Sequence, residues 1–158
     1  MINEITGWSE MKSLKLSRLL VYLLMVMLIL LLFIAYFVAV WYDELSDGTG
    51  IIKSSVVVPG TVMIYICDFF GLTAVFYLNR LLANISKDKV FIEQNTKCLR
   101  IISWCCVFAG IAMLVFSLWR YYFGICAFFA MFMGLVMRVL KNVFEKAVEL
   151  KSESDFTI

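Results

Sequence analysis

The residues that could do chemistry in this chain are few, and their spacing favours no known reaction. The sequence has no His, and none of its five cysteines forms a C-x-x-C pair; they are Cys67, Cys98, Cys105, Cys106 and Cys126. Zinc and iron–sulfur sites need more ligands at closer spacing. Paired carboxylates, a nucleophile elbow and a phosphate-binding Gly loop are also missing from the sequence. We therefore expect no enzyme activity, no catalytic residue, no metal and no cofactor, and we interpret the cysteines as small apolar side chains.

One acidic residue, Asp68, interrupts a long apolar stretch at residues 56–78. An acid near the middle of a membrane helix costs about 2.5–3.5 kcal/mol on insertion scales. Asp68 could therefore be an intramembrane polar site that binds a proton or a cation, or a polar switch. It could equally be a neutral carboxyl group that is hydrogen-bonded to a neighbouring helix. Arg120 is the candidate counter-charge, but we expect it to lie too near the membrane surface.

The elements that position these residues are predicted to be membrane-spanning helices. The chain is 63% hydrophobic with a mean hydropathy of +0.94, so its polar residues are too few to cover its surface and lipid must cover much of it. A bilayer core needs about 20 apolar helical residues. Four stretches meet this length or come close to it: 19–42, 56–78, 101–119 and 121–137. The predicted fold is an all-α polytopic membrane protein, with residues 1–158 as one integral-membrane domain and with cytoplasmic helical extensions.

The distribution of charge predicts the orientation. Twelve of the fourteen Lys and Arg residues precede the first span or lie in segments 79–100 and 138–158, and the other two are Lys53 and Arg120. Cytoplasmic segments carry the excess of basic residues. We therefore expect both termini, the loop 79–100 and the tail 138–158 in the cytoplasm, with the loop 43–55 outside.

Small residues recur on one side of three of the spans and predict where the helices touch. The second span carries Gly60, Cys67, Gly71 and Ala74; the third carries Ser103, Cys106, Gly110 and Ser117; the fourth carries Gly124, Ala127, Met131 and Gly134. We predict that spans two, three and four form the tightly packed part, and that the bulkier first span is more exposed to lipid.

Both cytoplasmic segments continue the helices beyond the membrane. Residues 79–85 extend the second span, and a new helix is expected to begin near Phe91. The tail is amphipathic, with one predicted apolar face of Leu140, Val143, Phe144, Ala147 and Val148. Such helices often rest on lipid headgroups, and they can also dock a partner protein.

Two stretches of the sequence resemble a known family. "KVFIEQNTKCLRIISWCC" at residues 89–106 and "FEKAVELKSESDFTI" at residues 144–158 are similar to the domain-of-unknown-function family 2975, small four-span bacterial membrane proteins. The residues that match its patterns are Phe91, Glu93, Asn95, Leu99, Arg100, Trp104, Glu149, Asp155, Thr157 and Ile158. Two positions depart from the family pattern. Asp88 stands where Gly is common, and Ile92 replaces a hydroxyl residue that could cap a helix.

The resemblance implies an architecture and a location in the bacterial cell membrane, but no chemistry. Members are often encoded beside a small helix-turn-helix regulator, which implies a cytoplasmic protein partner. We expect a regulatory or sensing membrane protein that contacts lipid and such a regulator, binds no nucleic acid directly and can form homo-oligomers. The expected partner-binding residues are Phe91, Glu93, Asn95, Arg100, Glu149, Asp155, Thr157 and Ile158. The alternatives are a small oligomeric transporter or export/immunity component that uses Asp68, and a structural subunit of a larger complex.

Overall fold

The chain folds into four long helices. The computed structural model describes residues 10–46 and 49–156, and within these ranges it contains helices and connections but no strand. The helices are α1 Glu10–Leu45, α2 Val57–Ile85, α3 Glu93–Phe116 and α4 Tyr122–Phe156. Each is long and apolar enough to cross a membrane. The predicted all-α, multi-pass membrane fold is therefore confirmed.

Two of the helices are much longer than a membrane requires. At 1.5 Å per residue, the 36 residues of α1 and the 35 of α4 extend for about 54 and 52 Å, against a hydrocarbon core of about 30 Å. Neither sequence contains Pro, so nothing removes a backbone donor. The one Pro in the chain, Pro59, lies in the first turn of α2, where the missing N–H needs no partner.

Successive helices pack antiparallel, and each contacts its neighbours in the sequence. The starts of α1 and α3 and the ends of α2 and α4 consequently lie together. We call this the basic end, because it carries twelve of the fourteen basic residues. The α1–α2 loop and the α3–α4 turn form the opposite end.

The hairpin of α3 and α4 has the closest packing, as its small residues predict. The Ser103 hydroxyl donates a hydrogen bond of 2.7 Å to the Gly134 carbonyl oxygen of α4. A Cβ added at Gly110 would lie 2.6 Å from Cγ of Met131 and 3.2 Å from the carbonyl oxygen of Ala127. The two small-residue stripes therefore face each other, and the predicted contact is confirmed.

The stripe on α2 does not form one contact face. Gly60 lies near Phe116 of α3, and the Cys67 thiol contacts a backbone carbonyl of α3. Gly71, however, faces Leu28 of α1 at about 3.5 Å. The prediction of a single face was wrong here, because α2 is a middle helix and must contact both α1 and α3.

Helix α1 is more exposed than α2 and α3, as predicted, but α4 is as exposed along its span as α1. The backbone of α1 packs on α2, and the Tyr42 ring near its end meets Phe123 of α4 at 5.9 Å. Its buried side chains are small or medium: Val21, Ala35 and Ala39. Large apolar side chains such as Phe33 and Phe37 are more than 70% exposed. Lipid is the environment in which that surface is stable.

Candidate functional site

The α2–α3 turn lies at the basic end and contains the start of the first family-like stretch, residues 89–106. Asp88 has φ 58°, the left-handed conformation that Gly adopts most easily and that Asp tolerates better than most residues. Backbone N–H groups of Lys87 and Lys89 donate to the Asn84 carbonyl oxygen at 3.1 and 3.0 Å. The departure from Gly is therefore accommodated at the position where Gly would be favoured.

Asn95 holds this turn in place. Its side chain is fully buried, and its amide nitrogen donates hydrogen bonds of 2.8 and 2.7 Å to the carbonyl oxygens of Lys89 and Val90. Its amide oxygen accepts a 2.8 Å bond from the Asn84 side chain of α2. We expected Asn95 to contact a partner, but it has no exposed surface for that contact, and its bonds position the residues around it instead.

The first turn of α3 has no side-chain cap. Ile92 precedes it with extended backbone and makes no capping hydrogen bond, as its missing hydroxyl predicts. Glu93 follows in the first turn, where the positive end of the helix dipole favours a negative charge, and pairs with Lys97 at 3.6 Å. Both side chains are well exposed, so the pair adds little stability and stays available for other contacts.

The extension of α4 packs against this turn. The rings of Phe91 and Phe144 lie 5.9 Å apart, and Phe144 also packs on a buried cluster of Leu81, Cys98 and Leu99. Val143, beside Phe144 in the sequence, is instead 58% exposed. The single apolar face predicted for the tail is therefore split between two sides of α4, because only one side can reach α2 and α3.

A groove runs between the start of α3 and the extension of α4. Its volume is about 650 Å³, and we call it the α3–α4 groove; its lining residues are Glu93, Thr96, Lys97, Arg100, Glu145, Val148, Glu149 and Ser152. Arg100 and Glu145 pair across it at 3.6 Å with both side chains about half exposed. The structure thus brings together Glu93 and Arg100 from one recognised stretch and Glu149 from the other.

Two acidic residues of the groove, Glu145 and Glu149, are hydrogen-bonded to lysines of α4 itself. Glu145 lies eight residues beyond the last span predicted from the sequence, 121–137. Its hydrogen bond from Lys141, with the nearby charge of Arg100, holds the pKa of its carboxyl below the usual range. Lys146 donates a 3.0 Å hydrogen bond to Glu149. The groove therefore presents both signs of charge.

The remaining predicted positions lie outside the groove or outside the described side chains. Phe91 is 45% exposed at the turn. Asp155 falls in the last turn of α4, although its side chain is not among those described, and Thr157 and Ile158 lie outside the described residues.

Asp68 is far along α2 from the groove. Its side chain is 1% exposed, and neither carboxyl oxygen has a hydrogen-bond partner. The contacts of Gly71 with Leu28 and of Gly60 with Ala39 set the antiparallel register of α1 on α2, and this register places Asp68 level with residues 31–32 of α1, which are both Leu. The helix-to-helix hydrogen bond that we considered for Asp68 is not made.

The sequence did not reveal a second polar cluster, at the opposite end. The Arg120 side chain is 3% exposed; its Nε donates to the Ser46 hydroxyl at 2.9 Å, and an Nη lies 3.5 Å from the Asp43 carboxylate. Asp43 also accepts bonds from the Ser55 hydroxyl and the Val56 N–H. Arg120 is therefore the counter-charge of Asp43, not of Asp68. The only sign of this pairing in the sequence was the position of the two residues: Asp43 follows the first predicted span, and Arg120 lies between the last two.

Gly50 allows the α1–α2 loop to close over that cluster. A Cβ at this position would lie 2.3 Å from the Trp119 backbone, and the neighbouring Ile52 N–H donates a 3.0 Å bond to the Leu118 carbonyl oxygen. The loop thus ties the end of α1 and the start of α2 to the α3–α4 turn. We call the contacts around Arg120 the clasp.

The cysteines show no arrangement for metal or redox chemistry within the described ranges. All five are free thiols, and the described residues contain no group of three His, Cys, Asp or Glu side chains that could hold a metal ion.

Comparison of this sequence with known proteins identifies one family. No match was found among the curated proteins or among the solved structures. A family model described as "Protein of unknown function (DUF2975)" matches residues 44–158, which include α2, α3, α4 and every residue of the α3–α4 groove. Because the match covers more than two thirds of the chain and includes both stretches that suggested the resemblance, this chain belongs to the DUF2975 family.

Proposed function

We propose that this chain is a non-enzymatic regulatory or sensing protein of the bacterial cytoplasmic membrane, and that its α3–α4 groove binds a soluble cytoplasmic protein such as a helix-turn-helix transcription regulator. The basic end faces the cytoplasm under this proposal, as the distribution of Lys and Arg favours.

The observation that carries the proposal is the convergence of two distant sequence stretches on one groove. Glu93 and Arg100 come from the start of α3, and Glu149 comes from the end of α4, yet all three line the same cavity of about 650 Å³. Exposed charged residues contribute little to stability. Their convergence on a concave surface is better explained by recognition, with polar groups fixing the orientation of a bound segment.

The surroundings of the groove support coupling between the two ends of the bundle, so that a change at one end alters the groove at the other. Asn95 fixes the turn on one side, and the ring of Phe144 anchors the extension of α4 to the turn. At the opposite end, the clasp joins the same four helices through Arg120 and Asp43. A change in the clasp would therefore reach the groove through α3 and α4, which are the most closely packed pair.

A charge reversal with a matched control tests the proposal. The tagged wild-type chain, Arg100→Glu and Lys87→Glu are each isolated from membranes of the native host with their soluble partners. Both variants make the same charge change at the basic end, but only Arg100 lines the groove. We expect at least a tenfold lower recovery of the partner with Arg100→Glu and an unchanged recovery with Lys87→Glu.

Adding Glu145→Arg to Arg100→Glu separates contact from structure, because the double variant restores the ion pair with its charges exchanged. Recovery that stays low supports direct recognition by Arg100. The proposal is contradicted if the double variant regains the partner, if both single variants behave alike, or if the wild type recovers no soluble protein.

A second candidate function is a small oligomeric transporter or export/immunity component that uses Asp68. The observation that favours it is a carboxyl group with 1% exposure and no hydrogen-bond partner, since ionisable residues within membrane spans are commonly functional. The variant Asp68→Asn keeps the size of the side chain and removes its acid. Ion- or proton-coupled flux in vesicles that collapses in this variant would favour transport, and partner recovery that persists without any flux would favour regulation.

A further inference from the structure

Trp104 and Arg138 form an open pair of side chains near the basic end of the bundle, and we call this pair the platform. The Trp104 side chain is 45% exposed. The guanidinium carbon of Arg138, which is also exposed, lies 4.8 Å from the centre of the Trp104 ring. A cation over the face of an indole is attracted by the ring, so the Arg138 charge is held at one place between α3 and α4. Neither residue lines the α3–α4 groove.

The platform leads into an apolar cleft between α2 and α3. The Trp104 ring stacks on Phe108 at 5.7 Å, and Phe108 stacks on Phe70 of α2 at 5.3 Å. Phe70 and Phe108 lie at the basic-end side of a cavity of about 490 Å³, which continues along the two helices to Pro59 and Trp119. Every residue that lines this cavity is apolar, and we call it the apolar cleft. A charged group at one end and an apolar path from it give the surface two different ends.

Arg138 lies at the depth where lipid phosphates meet the hydrocarbon core. It directly follows the predicted span 121–137, and a core of about 30 Å counted from Tyr122 ends at about residue 142. An arginine at this depth is costly unless an anion neutralises it. No carboxylate pairs with Arg138 within residues 10–46 and 49–156. The anion that a membrane supplies at this depth is the phosphate of a lipid headgroup.

The platform and the near half of the apolar cleft match the length of one acyl chain. A chain in one leaflet spans about 15 Å, which is half of the hydrocarbon core. Trp104 and Ala112 are eight residues apart on α3, or about 12 Å along the helix. A chain that starts beside Trp104 therefore passes Phe108 and ends within the cleft, near Ala112.

We propose that the platform and the apolar cleft form a binding site for one anionic phospholipid. The Arg138 guanidinium donates hydrogen bonds to the headgroup phosphate while the Trp104 ring holds it in place. One acyl chain follows Phe108 into the cleft, so the lipid contacts α2, α3 and α4 together. A net negative headgroup is favoured because the platform offers a cation and no carboxylate for a headgroup amine. The proposal holds whichever side of the membrane the basic end faces.

Counting bound lipids by native mass spectrometry tests the headgroup contact. The purified chain in detergent is titrated with phosphatidylglycerol, and so are Arg138→Gln and Arg80→Gln. Arg80 is also exposed at the basic end, two residues beyond the predicted span 56–78, so it is matched in type and depth but lies outside the platform. We expect one tightly held lipid on the wild type, about fivefold weaker binding to Arg138→Gln and less than about twofold change in Arg80→Gln. Equal losses in both variants would show a general attraction to the basic end and overturn the proposal.

Further variants test the ring and the cleft separately. Trp104→Leu keeps the Arg138 charge without the ring beneath it, and we expect about two- to fivefold weaker binding of phosphatidylglycerol. Ala112→Phe places a ring inside the apolar cleft, whereas Leu114→Phe places the same ring on an exposed part of α3 outside it. We expect about fivefold weaker binding with Ala112→Phe and unchanged binding with Leu114→Phe. Equal binding to these two variants would contradict the path of the acyl chain.

Two other ligands identify the source of the phosphate. Phosphatidylethanolamine with the same acyl chains adds an amine that offsets the phosphate charge, and glycerol phosphate supplies the phosphate without a chain. We expect about fivefold weaker binding of the first and no displacement of phosphatidylglycerol by an equal concentration of the second. Equal binding of the two lipids or displacement by glycerol phosphate would overturn the proposal. So would a mass of two chains without lipid, which would assign the cleft to a second copy.

Discussion

The variant Asn95→Ala should loosen the α2–α3 turn and expose Cys98. Asn95 makes three hydrogen bonds within the turn, two to backbone carbonyl oxygens and one from the Asn84 side chain, and it is fully buried. Each bond contributes about 1 kcal/mol net, and carbonyl groups that are left buried without a donor cost more. The turn should therefore lose about 3 kcal/mol of local stability, which corresponds to more than a hundredfold increase in its open population.

The modification rate of Cys98 reports this opening. Cys98 lies one helical turn after Asn95 and is 2% exposed, so a thiol reagent reaches it only when the turn opens. The protein in bicelles is treated with a maleimide, and the Cys98 peptide is followed by mass spectrometry. We expect at least a hundredfold faster modification in Asn95→Ala than in the wild type.

Gln94→Ala is the matched control. Gln94 is exposed next to Asn95, and its side chain accepts only a long 3.4 Å bond from Asn84. Loss of that contact should change the stability by less than about 0.5 kcal/mol and the Cys98 rate by about twofold. If the maleimide modifies Cys98 at the same rate in Asn95→Ala and in Gln94→Ala, the role assigned to the Asn95 hydrogen bonds is wrong.

Three further outcomes follow from the packing, the clasp and the buried acid. Gly110→Ala should lower the stability of the solubilised protein by about 1–3 kcal/mol, because its Cβ meets Met131, whereas Gly124→Ala has ordinary space; equal midpoints of unfolding in the two variants would contradict this packing. Arg120→Met should release the α1–α2 loop, seen as faster motion of a spin label there, and motion unchanged from the wild type would show that the clasp does not hold it. Asp68→Leu should improve the insertion of α2 by about 3–4 kcal/mol in a glycosylation-based insertion assay, and no improvement would mean that the carboxyl group is compensated.

The membrane fold was predictable because a helix that crosses lipid needs a long apolar stretch, and helices that pack closely need small residues at regular spacing. Apolar length identified all four helices, and the opposed stripes that include Ser103 and Gly134 followed from the need for small side chains where backbones approach. The position of Gly71 was not predictable in this way. Small residues mark contacts, but they do not say which neighbour is contacted when a helix lies between two others.

The candidate site was only partly predictable, because loops and turns have no period. The recognised pattern contains Asn95, yet its role depends on where the carbonyl oxygens of Lys89 and Val90 point, which only the folded turn decides. The pairing of Arg120 with Asp43 depends on an irregular loop between α1 and α2. Likewise, the periodicity of the tail showed apolar side chains such as Phe144 and Val143, but not which of them would reach the turn.

The orientation of the basic end is the measurement that bears most directly on the central claim, that the working surface faces the cytoplasm. Single cysteines are placed at Lys53, in the α1–α2 loop, and at Ser152, which lines the groove. Cells whose cell envelope is permeabilised outside an intact cytoplasmic membrane are then treated with a membrane-impermeant maleimide. The expected result is that Lys53→Cys reacts at once and Ser152→Cys reacts only after the membrane is permeabilised. Reaction of Ser152→Cys in intact cells would place the groove on the outside, where no cytoplasmic regulator could bind it.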